Sequence, residues 1–311
     1  MSLNTAVGYP QYAASSIAFI PTLYAKLMVP KYYDASVVAA ISNTNYEGEI
    51  KDLGDKVIIR SRPTITINDY TKGKTLTYEV PSAAPVELNI NKGKDYGFVI
   101  DVADDAQADV ALADTFLEDG AEQMKIKIDT DVLANVYADA SAENQGATAG
   151  RKSGAFNLGT AAAPLQITTG SSGNVLEFLT GISTVLDEQN VPESDRFIVI
   201  PLWMRYMIMN SELKQVQITG DSQSPIRNGR LGEVDRLMIY KSNLLKAETL
   251  ATKACTHVIA GHKDAITFAA QLVRNESLPA PNQFGRLYRG LQVYGYKVVK
   301  PEALVHAIVY K

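Results

Sequence analysis

Few residues in this chain could do chemistry, and their spacing argues against it. Gly73-Lys74-Thr75 has the residues that close a phosphate-binding loop. Such a loop cradles phosphates with backbone N–H groups and needs a glycine at position 68, where Asn68 stands. The lysine also falls in a turn and not at a helix start. The histidines are His257, His262 and His306. His257 and His262 flank a predicted strand and turn, at a separation that fits no common zinc motif, so they read as structural. Gly170-Ser171-Ser172-Gly173 lacks the glycine spacing of a nucleophile elbow. Asp104, Asp105, Asp109, Asp114, Glu118, Asp119 and Glu122 crowd one segment. Without a histidine among them they read as the solvated first half of a helix, where acids suit the positive end of the dipole. Cys255 is the single cysteine, which excludes an internal disulfide and a CxxC metal site. It reads as a small buried hydrophobe. No catalytic, cofactor-binding or metal-ligating residue is assigned, and no cofactor is expected.

The elements that would have to position any site are unusual. Lys56–Arg62 and Thr64–Tyr70 alternate side chains with period two. The turn Thr71-Lys72-Gly73-Lys74 follows, and then Leu76, Tyr78, Val80, Val86, Leu88, Ile90, Tyr96, Phe98 and Ile100 alternate again. Alternation over such lengths predicts half-buried strands, here a long β-hairpin over 46–95. Pro63, Pro81 and Pro85 cannot donate to a ladder, so the hairpin is an exposed arm and not the centre of a sheet. An isolated ribbon is marginal in water, so its apolar row needs a partner surface, one that another copy of the chain can supply.

A long helix is predicted over Asp104–Ala140. Its apolar stripe runs through Val110, Ala113, Leu117, Ala121, Met124, Ile128, Val132 and Val136. Leu117, Met124 and Ile128 are expected in its core, and Gly120 marks a bend or a close crossing. Residues 1–45 read as an arm without a core, containing a short amphipathic helix at Phe19–Val29. Ala142–Gly173 is a loop-rich connection. Beyond it the pattern becomes α/β: a helix at Asn174–Gln189, a buried strand at Arg196–Ile200, and a helix at Leu202–Met209 started by Pro201. A polar loop follows at Leu213–Arg230. Strands are read at Leu237–Tyr240 and His257–Ala260, a short helix at Asp264–Ala270, and closing strands at Leu291–Val299 and Leu304–Val309.

Composition narrows the function classes. The chain has 311 residues, 46 % hydrophobic and 21 % charged, with net charge −4. A dedicated nucleic-acid reader would be basic, so sequence-specific recognition is disfavoured. Met1–Pro10 carries no signal-peptide pattern, and no run reaches membrane-spanning length, so no membrane partner is expected. Sixteen tyrosines against eight phenylalanines and one tryptophan suit subunit contacts, where an apolar ring with a polar tip is useful.

The order of these parts resembles the major capsid proteins of tailed bacteriophages. Tyr46-Glu47-Gly48-Glu49-Ile50 with Gly54-Asp55-Lys56-Val57 is similar to the approach to that family's extended loop. Ile67-Asn68-Asp69-Tyr70 before Lys72-Gly73-Lys74 is similar to its tip. Phe98-Val99-Ile100-Asp101 before an acidic helix is similar to the join with the spine. Gly229-Arg230-Leu231-Gly232-Glu233-Val234 and Tyr294-Gly295-Tyr296-Lys297-Val298-Val299-Lys300-Pro301-Glu302 are similar to an apical strand and the closing strands.

The resemblance implies an α+β, HK97-type capsid fold. Its parts would be an N-arm (1–45), an extended β-hairpin loop (46–95) and a peripheral domain with a long spine helix (96–173). An apical α/β domain (174–290) and returning peripheral strands (291–311) would follow. It implies hexamers and pentamers closing into an icosahedral shell around double-stranded DNA, touched non-specifically, in a virion assembled in the host cytoplasm. Implied partners are other copies of the chain, a separate scaffolding protein and a portal protein, with room for a decoration protein. Tyr70, Lys72, Gly73 and Lys74 at the loop tip would contact a neighbouring subunit. Some relatives join a lysine to an asparagine covalently. Lys72 and Lys74 lie near that place, but no asparagine and glutamate partners match, so the crosslink is not carried over. Two rivals stand beside this reading: an encapsulin-like cellular compartment shell enclosing a cargo protein, and an enzyme built on the α/β segment 174–290.

Overall fold

The structure, a computed structural model, describes residues 33–34, 36–45, 56–60, 62–63, 65–75, 77–82, 84–101, 112–169, 173–211, 232–281 and 284–311. The expectations for Phe19–Val29, Tyr46–Ile50, Asp104, Asp105, Asp109, the Gly170-Ser171-Ser172 run and Leu213–Arg230 lie outside these residues.

In chain order the described elements begin with the short helix α1 (Val38–Ile41), strands β1 (Lys56–Ile59), β2 (Val86–Asn89) and β3 (Lys92–Asp101), and the long helix α2 (Leu112–Asn135). A 3-10 turn, Val136–Asp139, extends α2, and a second, Ala142–Asn144, follows it. Then come β4 (Leu165–Gln166), α3 (Val175–Glu188), β5 (Arg196–Ile200), α4 (Leu202–Met209), β6 (Glu233–Val234), β7 (Leu237–Lys241), β8 (Ala247–Leu250) and β9 (Lys253–His262). The chain closes with β10 (Ile266–Pro279), β11 (Gly285–Val298) and β12 (Leu304–Tyr310).

The largest sheet has seven strands, ordered β4-β12-β9-β5-β7-β6, with β8 also paired to β9. It is mixed: β4–β12 and β5–β7 are parallel, the other pairs antiparallel. Every residue of β5 is buried, which is why its sequence is a continuous apolar run after Arg196 and does not alternate. On α3, Val175, Phe178, Leu179, Ile182, Val185 and Leu186 recur at helical spacing, and all are buried. α3 stops because Asn190 adopts the left-handed conformation at φ 56°. The N–H of Val191 then bonds the Leu186 carbonyl at 3.1 Å, and that of Asn190 bonds Asp187 at 2.9 Å. Arg196 secures this turn. Its buried guanidinium pairs with Asp187 at 2.7 Å and donates to the carbonyls of Val191 and Pro192 at 2.6 and 2.8 Å.

A second sheet has the order β10-β11-β3. The short helix expected at Asp264–Ala270 is a 3-10 turn at Lys263–Ala265 leading straight into the strand β10. Ile266, Thr267 and Phe268 favour a strand, and pairing along the whole of β11 decides in its favour. Tyr96, Phe98 and Ile100, read above as the end of the hairpin, belong instead to β3 and pair with β11. The expected boundary at 290 falls inside β11. β12, expected beside the long helix, is an inner strand of the seven-stranded sheet that meets the 3-10 extension of the helix.

The described part of α2 is about 36 Å long at 1.5 Å per residue, and it turns Met124, Ile128, Val132 and Leu133 into the core. Asp129, also buried, accepts the N–H groups of Val37 and Val38 at 2.7 and 3.3 Å and so caps α1. No helix among the described residues is long and apolar enough to cross a membrane.

Candidate assembly surface

The long loop between β1 and β2 is where the sequence placed the subunit contact. Its base is a true ladder, Lys56↔Asn89 through Ile59↔Val86. Ile59, Leu88 and Ile90 from this base are buried with Ala269 and Val293 of the three-stranded sheet. Gly295 makes the docking possible, because a side chain there would collide with the Asn89 carbonyl oxygen.

Beyond the base the expected hairpin changes character. The strands predicted at 60–62, 64–70 and 76–80 are not assigned as strands among the described residues, which are all exposed. The prolines remove ladder donors, and instead of a ladder bond the N–H of Thr66 is held by the Glu79 carboxylate at 2.6 Å. At the tip, Gly73 takes φ +88° with nothing near its Cα hydrogens. The Lys74 N–H bonds the Thr71 carbonyl at 3.1 Å, and the Lys74 ammonium bonds the Asp69 carbonyl at 2.9 Å. Lys72 is exposed, and so are Ile67 (89 %), Tyr70 (77 %), Tyr78 (90 %) and Val80 (93 %). Gly73-Lys74-Thr75 therefore sits in an exposed turn and not at the start of a helix, where backbone N–H groups would converge on a phosphate.

The body under the loop is braced by α2. Met124 and Ile128 are buried, while Leu117 is only half-buried. Gly120 is a close crossing: Tyr96 lies against it at 3.4 Å from where a methyl group would stand, and also covers Gly290. Phe98 stacks on Tyr288 at 5.3 Å and meets Phe116 edge-on at 5.8 Å. Lower on the helix, Asp131 accepts from Lys92 Nζ at 2.7 Å and from the Tyr294 hydroxyl at 3.0 Å. Burial pushes the Asp131 carboxyl up, but these bonds outweigh it and hold the group below the usual carboxylate range. Burial and the same carboxylate raise the Tyr294 hydroxyl above the ordinary tyrosine range.

The candidate reactive residues occupy structural places. Cys255 is buried on β9. Asp119 accepts from the Tyr33 hydroxyl at 2.8 Å, and Glu122 pairs with Lys125 at 2.6 Å. Among the described residues no group of three or more His, Cys, Asp or Glu could hold a metal ion. His262 accepts the Asp264 N–H at 3.1 Å. His257 and His306, far apart in sequence, meet at 2.8 Å, a juxtaposition that no spacing rule could have revealed.

The model of the phage capsid protein family matches residues 90–307, from β3 to the middle of β12. The chain is a phage capsid protein. No curated protein sequence matches it. The capsid protein's fold is shared with a structure from Mycobacterium phage Che8, at TM-score 0.72 and 23 % identity over 94 % of this chain and 97 % of that one. It is shared with the capsid of cyanophage P-SCSP1u, at TM-score 0.71 and 16 % identity over 93 % and 92 %. The mature capsid of bacteriophage PhiM1 follows at TM-score 0.64 and 14 % identity over 96 % and 94 %. The fold is thus the α+β, HK97-type capsid fold, and the chain is a structural protein of the virion that builds the capsid shell. These matches do not favour the cellular-compartment reading.

Proposed function

We propose that this capsid protein forms hexamers and pentamers that close into an icosahedral shell around double-stranded DNA, and that it catalyses no reaction. Assembly takes place in the host cytoplasm with a separate scaffolding protein and a portal protein, and the outer surface leaves room for a decoration protein. The observation that carries this reading is the loop at 60–85, where Ile67, Tyr70, Tyr78 and Val80 face solvent in the single chain. Apolar side chains on a projecting ribbon are an aggregation hazard unless a neighbour covers them. In the shell Tyr70 anchors on a neighbouring subunit, while Lys72 and Lys74 find acidic partners there. Each contact is modest, but every subunit engages several neighbours and valency compounds them. The loop at 60–85 reaches toward a neighbouring subunit, and the two sheets and the long helix form the body that carries it.

Replacing Tyr70–Lys74 with a short Gly/Ser turn tests the assembly role. The variant is expected to keep near-native circular dichroism and to yield few or no closed shells by negative-stain microscopy. A normal yield of heat-resistant particles would reject it.

A further inference from the structure

Where the spine helix ends, four side chains from four segments form one row through the interior. Glu248 Oε1 on β8 meets His257 Nε2 on β9 at 2.8 Å. His257 Nδ1 meets His306 Nε2 on β12 at 2.8 Å, and His306 Nδ1 faces Gln145 Oε1 at 3.3 Å. The imidazole planes are 2° from parallel, and the two residues are 3 % and 6 % exposed. Tyr137, from the 3-10 turn that extends α2, stacks over His257 at 4.3 Å and over His306 at 4.6 Å. Lys246 donates to the Tyr137 hydroxyl at 2.7 Å and lies 3.5 Å from Glu248 Oε2. The charged and titratable groups around the pair are therefore Glu248, Lys246 and Tyr137.

The row has three links, and each needs one proton. The carboxylate and the amide oxygen at its ends supply none, and two neutral imidazoles supply two. The carboxylate link is the strongest and takes one proton, and the ring–ring link takes the other. The ring nitrogen left bare is His306 Nδ1, facing an oxygen. Turning the Gln145 amide over would forfeit the bond from its Nε2 to the Ala140 carbonyl at 3.3 Å. A further proton thus has one place to go, and it would put a positive charge inside the protein beside Lys246.

We propose that this row is an acid-sensitive latch: with the histidine pair neutral, it clamps the end of the spine helix to the seven-stranded sheet, and uptake of one proton at His306 Nδ1 loosens the clamp. Burial opposes that proton. It pushes His257 down despite Glu248, and together with His257 and Lys246 it pushes His306 down to about 4. The unfolded histidines accept protons near the ordinary value of about 6.5. Stability from the latch is therefore full above that value and falls as pH drops from about 6.5 toward the folded value of about 4.

The test is nitrogen-15 NMR of assembled, histidine-labelled protein under magic-angle spinning between about pH 8 and about pH 4. With only three histidines in the chain, the signals of His257 and His306 can be assigned individually. The His257 and His306 signals should titrate well below the ordinary range and move together. Independent titration of these two near the ordinary value would overturn the latch. In parallel, thermal melts compare the natural chain with His306→Gln, whose amide reaches His257 but cannot take up the proton. The natural chain should lose several degrees more than the variant on acidification, whereas parallel curves would refute the proposal. Should the variant not fold, the spectra of the unaltered chain decide.

Discussion

Leu117, Met124 and Ile128 share one stripe of α2 but not one environment. Met124 and Ile128 are buried, while Leu117 lies on the half-buried part of the helix. Ile128→Ala should therefore cost about 2–5 kcal/mol, and Leu117→Ala roughly 1 kcal/mol because less apolar area is lost. Urea unfolding of capsomers measures both; equal costs would mean that burial does not rank these positions. Asp131 carries a pH dependence of its own. Its carboxyl lies below the usual range in the folded chain, so its stabilisation is present above the ordinary carboxylate value and is lost as pH falls through the lowered one. Asp131→Asn should lower the melting temperature at neutral pH and flatten its decline in acid. A variant curve parallel to the natural one would remove Asp131 from the account.

At the scale of elements, the extended loop is a short anchored ladder carrying a long exposed excursion. The anchor depends on β2 lying flat on β11 at Gly295. Gly295→Val should push the Asn89 backbone away and destabilise the chain by about 1–3 kcal/mol. Limited proteolysis should then cut between residues 60 and 85 faster than in the natural chain, and an unchanged rate would show that the base is held by something else. The seven-stranded sheet faces no such dependence. β5, β9 and β12 are buried inner strands whose apolar contacts lie within the same chain, so changes to the loop should leave their amide exchange slow.

For the whole molecule, the exposed row Ile67, Tyr78 and Val80 means that folding of one chain leaves work for its neighbours. The free chain should associate into capsomers or shells, and sedimentation showing a folded monomer at every concentration would contradict this. Shells should separate into single chains in hot reducing detergent, because Cys255 is buried and no isopeptide partners match Lys72 or Lys74. A ladder of covalent oligomers on the gel would reverse that view and direct attention to the two lysines.

Local periodicity alone determined α3, β5, α4 and the lower half of the α2 stripe, Met124, Ile128 and Val132, because each of these buries its face, whereas Leu117 is half-buried and Ala121 exposed. The order of those elements was enough to point to a capsid protein. Only the tertiary structure decided the rest. Alternation over 46–100 marks extended backbone but cannot say with what it pairs. The same pattern became a ladder at Lys56–Ile59, an exposed excursion with no strand assigned among the described residues beyond Pro63, and a strand of a different sheet at Lys92–Asp101. Asp264–Ala270 read as a helix because its strand partners, Tyr294–Val298 of β11, lie well beyond any local window along the chain. The meeting of His257 with His306 and Glu248 was likewise hidden, since three strands must be laid side by side before their side chains can share protons.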